Sequence, residues 1–241
     1  MILESASVSR KGTGNEVNED RYLDDVERGV FAVADGIGGT DHGEIASAAA
    51  IQCLRRMLLQ RARSRPAVAA DQRLRRAFLL ANRVILRVGH RTGREMGTTL
   101  TAVVVQETTC YLAHSGDSRA YLAVDGAVRQ LTEDNTLVAE LTRRGIITET
   151  EAGAHPHRNV LTGCVGLHPH CKIQTATCPL TPGGRLILCT DGISDRLSTR
   201  EIGEYLRDES LSSIAKALVS SALSRGSADD LTAVVIGVGS E

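Results

Sequence analysis

Three short apolar runs, each with an aspartate at one end, constrain this chain more than any other feature. Val30-Phe31-Ala32-Val33-Ala34 stops at Asp35-Gly36, Leu186-Ile187-Leu188-Cys189 leads through Thr190 into Asp191-Gly192, and the run 231–238 starts just after Asp229-Asp230. A strand-length segment without polar positions has no face to offer water, so it must be covered on both sides. Such strands belong inside a layered architecture, where the polar end of each run marks the rim of the buried layer. Asp35, Asp191 and Asp229 lie far apart in the chain, yet a sheet can bring its strand ends to one edge.

The remaining elements fit around these runs. Segment 2–9 alternates apolar and polar residues, as a strand with one wet face does. Apolar residues at 46, 50, 53 and 57 form a helical stripe over 43–63 that ends at Ser64-Arg65-Pro66, and a second stripe follows at 74, 78, 81, 85 and 88. These predict an antiparallel helix pair whose outer faces carry arginines. Strand signals return at 98–106, 110–114 and 120–124, and Asp125-Gly126 between apolar flanks predicts a two-residue hairpin turn. Residues 137–158 read as short helices and loop, and Leu211–Ser224 reads as a helix ahead of the closing strand. No internal period or low-complexity stretch divides the chain, so residues 1–241 are expected to form a single domain. Strands first and last, with helix pairs between, predict an α+β sandwich.

Composition narrows the function classes. With no Trp and 2% aromatics, packing falls to Ala, Val, Leu and Ile, and no apolar run approaches the roughly 18 residues of a membrane helix. The amino terminus lacks the basic-then-apolar pattern of a secretory signal, which sets the cytoplasm as the expected location. Six cysteines without a C-x-x-C pair are expected as reduced thiols packed like small hydrophobes. His155, His157, His168, His170, Cys164, Cys171 and Cys178 crowd into one stretch, but their spacings fit no standard zinc motif, and they are expected as loop histidines and strand-flanking cysteines. The net charge of −1 hides an asymmetry: residues 51–100 hold 12 Arg against Asp71 and Glu95, a local +10, so the rest carries −11. The arginine-rich helices read either as a solvated face or as a docking surface for an acidic partner. Without interleaved aromatics they do not read as a nucleic-acid site.

Three carboxylates at one rim repel one another unless hard cations neutralise them, and oxygen-only ligation favours Mg²⁺ or Mn²⁺ over zinc. A single Asp-Gly after a strand is an ordinary turn. The set of three is what points to cations.

The set is also a resemblance. Asn18-Glu19-Asp20, Ala34-Asp35-Gly36-Ile37-Gly38-Gly39 followed by Gly43-Glu44-Ile45-Ala46-Ser47, Met96-Gly97-Thr98-Thr99-Leu100 and Ser115-Gly116-Asp117-Ser118-Arg119-Ala120-Tyr121 occur in that order. Leu131-Thr132-Glu133-Asp134, His155-Pro156 with Arg158-Asn159-Val160-Leu161-Thr162, Thr190-Asp191-Gly192-Ile193-Ser194-Asp195 and Asp229-Asp230-Leu231-Thr232 follow. Over about residues 5 to 238 this succession resembles the motifs of the type 2C (PPM) metal-dependent protein phosphatases in their bacterial form.

The resemblance implies a four-layer fold, two antiparallel β-sheets face to face with a helix pair on each outer side, and a flap over about 137–160. It implies two Mn²⁺ or Mg²⁺ ions, with Asp35 bridging them, the Gly36 carbonyl on one, and Asp191 and Asp229 on the other. Asp20 holds water beside the ions, and Asp117 with Asp191 matches the position of a third, weaker ion. The implied activity is hydrolysis of phosphoserine or phosphothreonine in a protein by a metal-activated water, with catalytic roles for Asp35, Asp191, Asp229 and Asp20. The implied protein is a monomer acting on the phosphoprotein products of a serine/threonine kinase, with no nucleic acid or membrane partner.

Several positions depart from the pattern. Many members carry an Arg that grips the substrate phosphate five residues before the Asp matched by Asp20, and this chain has Asn15 there. Arg10, Lys11 and the flap's Arg158 are the candidate replacements. Ile37 stands where eukaryotic members have a His, as is usual in bacterial ones, while Gly38-Gly39-Thr40, Asp134-Asn135-Thr136 and Asp229-Asp230 are smaller changes. A catalytically weak phosphoprotein-binding homologue and a small-molecule phosphomonoesterase are the other two readings.

Overall fold

The structure, a computed structural model, describes residues 1–14, 16–37, 42–59, 69–206 and 210–240. In chain order the elements begin with β1 (Ile2–Arg10), β2 (Arg21–Asp25), β3 (Val30–Ala34), the two-residue β4 (Gly36–Ile37), α1 (Gly43–Leu54) and α2 (Ala70–Thr92). The middle holds β5 (Gly97–Thr98), β6 (Leu100–Gln106), β7 (Thr109–Ser115), β8 (Arg119–Val124), β9 (Ala127–Gln130), α3 (Leu137–Arg143) and α4 (Glu149–Ala154). The chain closes with β10 (Gln174–Pro179), β11 (Arg185–Cys189), α5 (Asp191–Ser194), α6 (Thr199–Tyr205), α7 (Leu211–Ser224) and β12 (Leu231–Gly239).

Two five-stranded antiparallel sheets, ordered β1-β12-β11-β8-β9 and β10-β7-β6-β3-β2, carry the fold. Alternation along the apolar strands explains their composition. Phe31 and Val33 of β3, with Leu186 and Leu188 of β11 and Val234 and Ile236 of β12, point into the space between the sheets. Val30, Ala32 and Ala34 point the other way, against α1 and α2. Ile187, Cys189, Ala233 and Val235 face α6 and α7 on the far side. Both faces of each central strand are therefore buried, and each fully covered Leu, Ile or Phe contributes about 1.5–3 kcal/mol. The result is the expected four layers, helices, sheet, sheet, helices.

Small residues let the first helix pair sit close. Ala46 and Ala50 of α1 and Ala77 and Ala81 of α2 are all fully buried. The expected first helix differs in one respect: regular α-helix ends at Leu54, and Arg55–Leu59 winds as a π-helix. The wider turn rotates Leu58 inward, 4% exposed, where the stripe predicted Met57. The continuation to 63 lies outside the described residues. The predicted hairpin turn is present, with Asp125 and Gly126 both at positive φ and Val124 opposite Ala127. Four strands, β1, β2, β9 and β10, lie at sheet edges, and none carries an apolar run. None of the six cysteines is in a disulfide and all but Cys171 are buried, as expected.

Candidate active site

Both sheets contribute the predicted carboxylates, where the sequence suggested that one sheet would. Asp35 follows β3 of one sheet, whereas Asp191 and Asp229 flank β11 and β12 of the other, so the rim in question is the open end of the sandwich. Asp20, just before β2, completes the group from below, and Asp117 joins it from the β7–β8 turn.

Asp35 is fixed through its backbone. Its N–H donates to Thr99 Oγ1 (2.9 Å), and its carbonyl accepts from Thr99 N (2.8 Å) and Thr98 Oγ1 (2.8 Å). Thr99 Oγ1 also meets Ser118 Oγ at 2.7 Å, which joins the Asp35 loop to the Asp117 turn. Asp20 accepts at Oδ2 from Thr190 Oγ1 (2.8 Å), the residue before Asp191, and Thr190 Oγ1 itself accepts from Thr232 N (3.0 Å). Asp230 turns inward and accepts from Gly12 N and Glu19 N, both at 2.7 Å, which pins the loop carrying Asp20 to the start of β12. Its neighbour Asp229 stays at the exposed rim.

Glycine is required where these loops meet. A Cβ on Gly36 would collide with the carbonyl carbon and oxygen of Gly43, and one on Gly192 with the Asp230 carbonyl oxygen. Gly36→Ala should therefore shift Asp35, lowering kcat at least about tenfold and stability by about 1–3 kcal/mol. Thermal melts and turnover of the purified variant check both, and unchanged values for both would mean that the loop has slack.

The electrostatics follow from crowding. Burial first, then repulsion from Asp191 and Asp20, holds the Asp35 carboxyl well above the usual carboxylate range, and Asp35 and Asp191 share a hydrogen bond. Burial and then Asp229 push Asp191 up to about 6. Burial drives Asp20 up to about 8, against the lowering effect of its Thr232 and Thr190 hydrogen bonds. Asp117 is raised too, by burial and then by Asp191, Asp134 and Asp195. Two buried carboxylate oxygens, Asp20 Oδ1 and Asp191 Oδ1, have no hydrogen-bond partner among the described residues.

Among the described residues no three His, Cys, Asp or Glu form a ready-made metal cage, and this applies to the histidine–cysteine stretch 155–178 as well. For the aspartates the fit to hard cations is one of chemistry: an oxygen-only donor set, mutually repelling, with unpartnered oxygens aimed into it. Such a set is unstable as anions in water-poor surroundings and stable around divalent ions.

Beside this cluster lies a cavity of about 530 Å³ walled by Asp117, Arg119, Asp134, Asp195 and the exposed Arg158. Arg119 grips Asp134 through Nη2–Oδ2 at 2.6 Å and Nε–Oδ1 at 3.0 Å. The flap rises from this wall and is closed at its base by an antiparallel bridge between Thr136 and Leu161. Arg10, the last residue of β1, and Lys11 are both exposed and adjoin Gly12 on the loop tied to Asp230. Asn15 lies outside the described residues. Sequence reasoning gave no role to Thr190, Asp230, Asp195 or the Arg119–Asp134 pair. Only the acidic neighbour of Asp229 was a visible signal.

Comparison with known proteins agrees with this arrangement. A family model described as Protein phosphatase 2C matches residues 10–235. The serine/threonine phosphatase stp of Listeria monocytogenes is 31% identical over 225 residues, 92% of this chain and 89% of the relative. Among solved structures, the serine/threonine phosphatase PstP/Ppp of Mycobacterium tuberculosis superposes with a TM-score of 0.91 at 32% identity, covering 100% of both chains. A PstP catalytic domain in complex with two manganese ions does so at 0.87 and 32%, covering 99% of each. With the sandwich shared from end to end and the family model spanning 10–235, this chain belongs to the protein phosphatase 2C family.

Proposed function

We propose that the chain hydrolyses phosphoserine and phosphothreonine in proteins, with Asp35, the Gly36 carbonyl, Asp191 and Asp229 holding two Mn²⁺ or Mg²⁺ ions and Asp117 with Asp191 a third. The observation that carries this reading is the cluster of carboxylates at the rim, buried Asp20 with half-buried Asp35, Asp191 and Asp117, all four held above the usual range and two of their oxygens unpartnered among the described residues, in a protein phosphatase 2C chain. Bound there, the ions supply an acidified water and neutralise charge on the phosphoryl oxygens.

The chain's own residues do the rest. Thr190 holds one oxygen of Asp20, leaving Oδ1 to accept a hydrogen bond from the attacking water and orient it in line with the phosphorus. Water oxygen forms the new P–O bond as the ester bond to the Ser or Thr oxygen breaks. That oxygen takes up a proton to give the free hydroxyl and inorganic phosphate. Arg10, Lys11 and Arg158 are the cations available to the substrate phosphate, with Arg158 on the cavity wall beside Asp117. The substrates are phosphoproteins made by a serine/threonine kinase, met in the cytoplasm by a single-domain monomer. No helix among the described residues is long and apolar enough to cross a membrane.

Phosphate release from phosphothreonine peptides with and without Mn²⁺ tests the reading. Metal-dependent release is expected. Binding without release would favour a phosphoprotein-binding homologue, and release from small esters alone a phosphomonoesterase. Asp117→Ala should lower turnover while two ions per chain are retained after gentle dialysis. Wild-type turnover at saturating Mn²⁺ would remove Asp117 from the mechanism.

A further inference from the structure

The outer face of α2 is a stripe of like charge. After Asp71 the helix carries no carboxylate, and Arg76, Arg83, Arg87 and Arg91 are all exposed on the side opposite the buried stripe of Leu74, Ala81 and Ile85. Arg83, Arg87 and Arg91 follow one another at i, i+4, a spacing at which like charges destabilise a helix. None of these four makes a hydrogen bond or ion pair with any described residue, in contrast to Arg73, which caps the Leu58 carbonyl at 2.7 Å.

The stripe also has a direction. Just past its end, Arg94 Nη1 meets His42 Nδ1 at 3.2 Å, and Gly43, the next residue, packs directly against Gly36 beside Asp35. From Arg76 to Arg91 the helix rise gives a track of about 22 Å. About seven residues of extended chain would cover it.

We propose that this track docks an acidic segment of the phosphoprotein substrate, on one side of the phosphorylated residue, while that residue occupies the carboxylate rim. The proposal rests on the phosphatase reading and adds the substrate class. Charge complementarity selects an acidic occupant, and continuity with the rim selects one attached to the substrate. No exposed Phe, Tyr or Trp on α2 offers a stacking platform for nucleic-acid bases, and Leu79 alone, 42% exposed, is too little to insert into a lipid surface.

The test uses phosphothreonine peptides with identical flanks and a ten-residue extension, on either the amino or the carboxyl side, rich in Glu or in Gln. With Mn²⁺ present, KM for the Glu form on one side should be about tenfold lower, as expected from several modest exposed charge pairs. High salt should erase the difference. Arg83→Glu/Arg87→Glu/Arg91→Glu should abolish it and leave kcat and KM on the Gln peptides within about twofold. The triple Gln variant should also abolish it, which separates lost charge from any disturbance by new glutamates. Equal KM for Glu and Gln forms in the wild type on both sides, or a difference that survives both triple variants, overturns the proposal. So does loss of binding to duplex DNA or phosphatidylglycerol vesicles in the variants with peptide constants unchanged. If no phosphopeptide is hydrolysed at all, the phosphatase reading fails, and fluorescence anisotropy with the unphosphorylated Glu-rich peptide judges the track alone. Tighter binding to the wild type than to the triple variants upholds it, and equal binding overturns it.

Discussion

Alanine at Asp35 or at Asp191 should lower kcat on a phosphothreonine peptide by about a thousandfold or more, because each removes a carboxylate that the proposed mechanism assigns to ions supplying several kcal/mol of transition-state stabilisation. The same substitutions should raise the melting temperature of the metal-free protein. Asp35 is held above the usual carboxylate range by burial and by Asp191 and Asp20, so deleting it relieves a repulsion that the fold otherwise sustains. Opposite signs for activity and stability separate a functional loss from misfolding. A folded Asp35→Ala or Asp191→Ala protein retaining more than a tenth of wild-type kcat would remove that residue from the metal site. Asp35→Asn, which preserves shape and removes charge, should follow the alanine variant in both readings.

The parts of this fold that could be read from sequence are those where a residue's own neighbours decide its environment. Val30–Ala34 and Leu186–Cys189 are apolar at every position because each is covered on both faces, and that alone announced a sandwich. The edge strands gave no such signal. In β2, Arg21 and Asp25 hydrogen-bond locally while Asp24 accepts from Ser5 of β1, and β10 alternates exposed positions with partly buried ones and the buried Cys178, so neither looks like a core strand. The π-turn at Arg55–Leu59 was hidden because it moves the buried position by a single residue, from Met57 to Leu58. In the site, the aspartates at strand ends were visible as a set. The assumption that one sheet would gather them failed because sequence spacing does not say which sheet a strand joins. The groups that hold those aspartates were less visible still: Thr190 meets Asp20 from 170 residues away, and Gly12 and Glu19 meet Asp230 from more than 200. Such partners are chosen by the tertiary fold, and nothing local in Thr190 distinguishes it from a strand-end threonine.

Stripping the divalent ions with EDTA should abolish phosphate release, with Mn²⁺ or Mg²⁺ restoring it and Zn²⁺ failing, since every donor in the set is oxygen. It should also change how stability depends on pH. Asp20, normally near 3.8, is raised to about 8 in the folded protein, and Asp191 to about 6, so over that range the native state holds protons the unfolded chain has released. Stability then falls as pH rises. Buried His114 acts in the opposite sense, because burial lowers it from 6.5 to about 4, and its contribution grows with pH only up to about 6.5. Between pH 6.5 and 8 the carboxylates are opposed by one thiol, Cys178, which its hydrogen bond with Cys110 lowers from 9.0 to about 7, so the melts are run on a Cys178→Ala protein, in which the carboxylates set the trend. One retained proton is equivalent to about 1.4 kcal/mol per pH unit, so the stripped protein should lose about 2 kcal/mol across this window, a drop of roughly 4–8 °C in Tm. Mn²⁺ should reverse the loss, giving its largest Tm increase at pH 8, where it no longer competes with protons for the same oxygens. Melting curves at pH 6.5 and 8, with EDTA and with Mn²⁺, decide the matter. A metal-free Tm that stays level or climbs across this window would mean that Asp20 is ionised without metal, and that the rim is held together by something other than the cations.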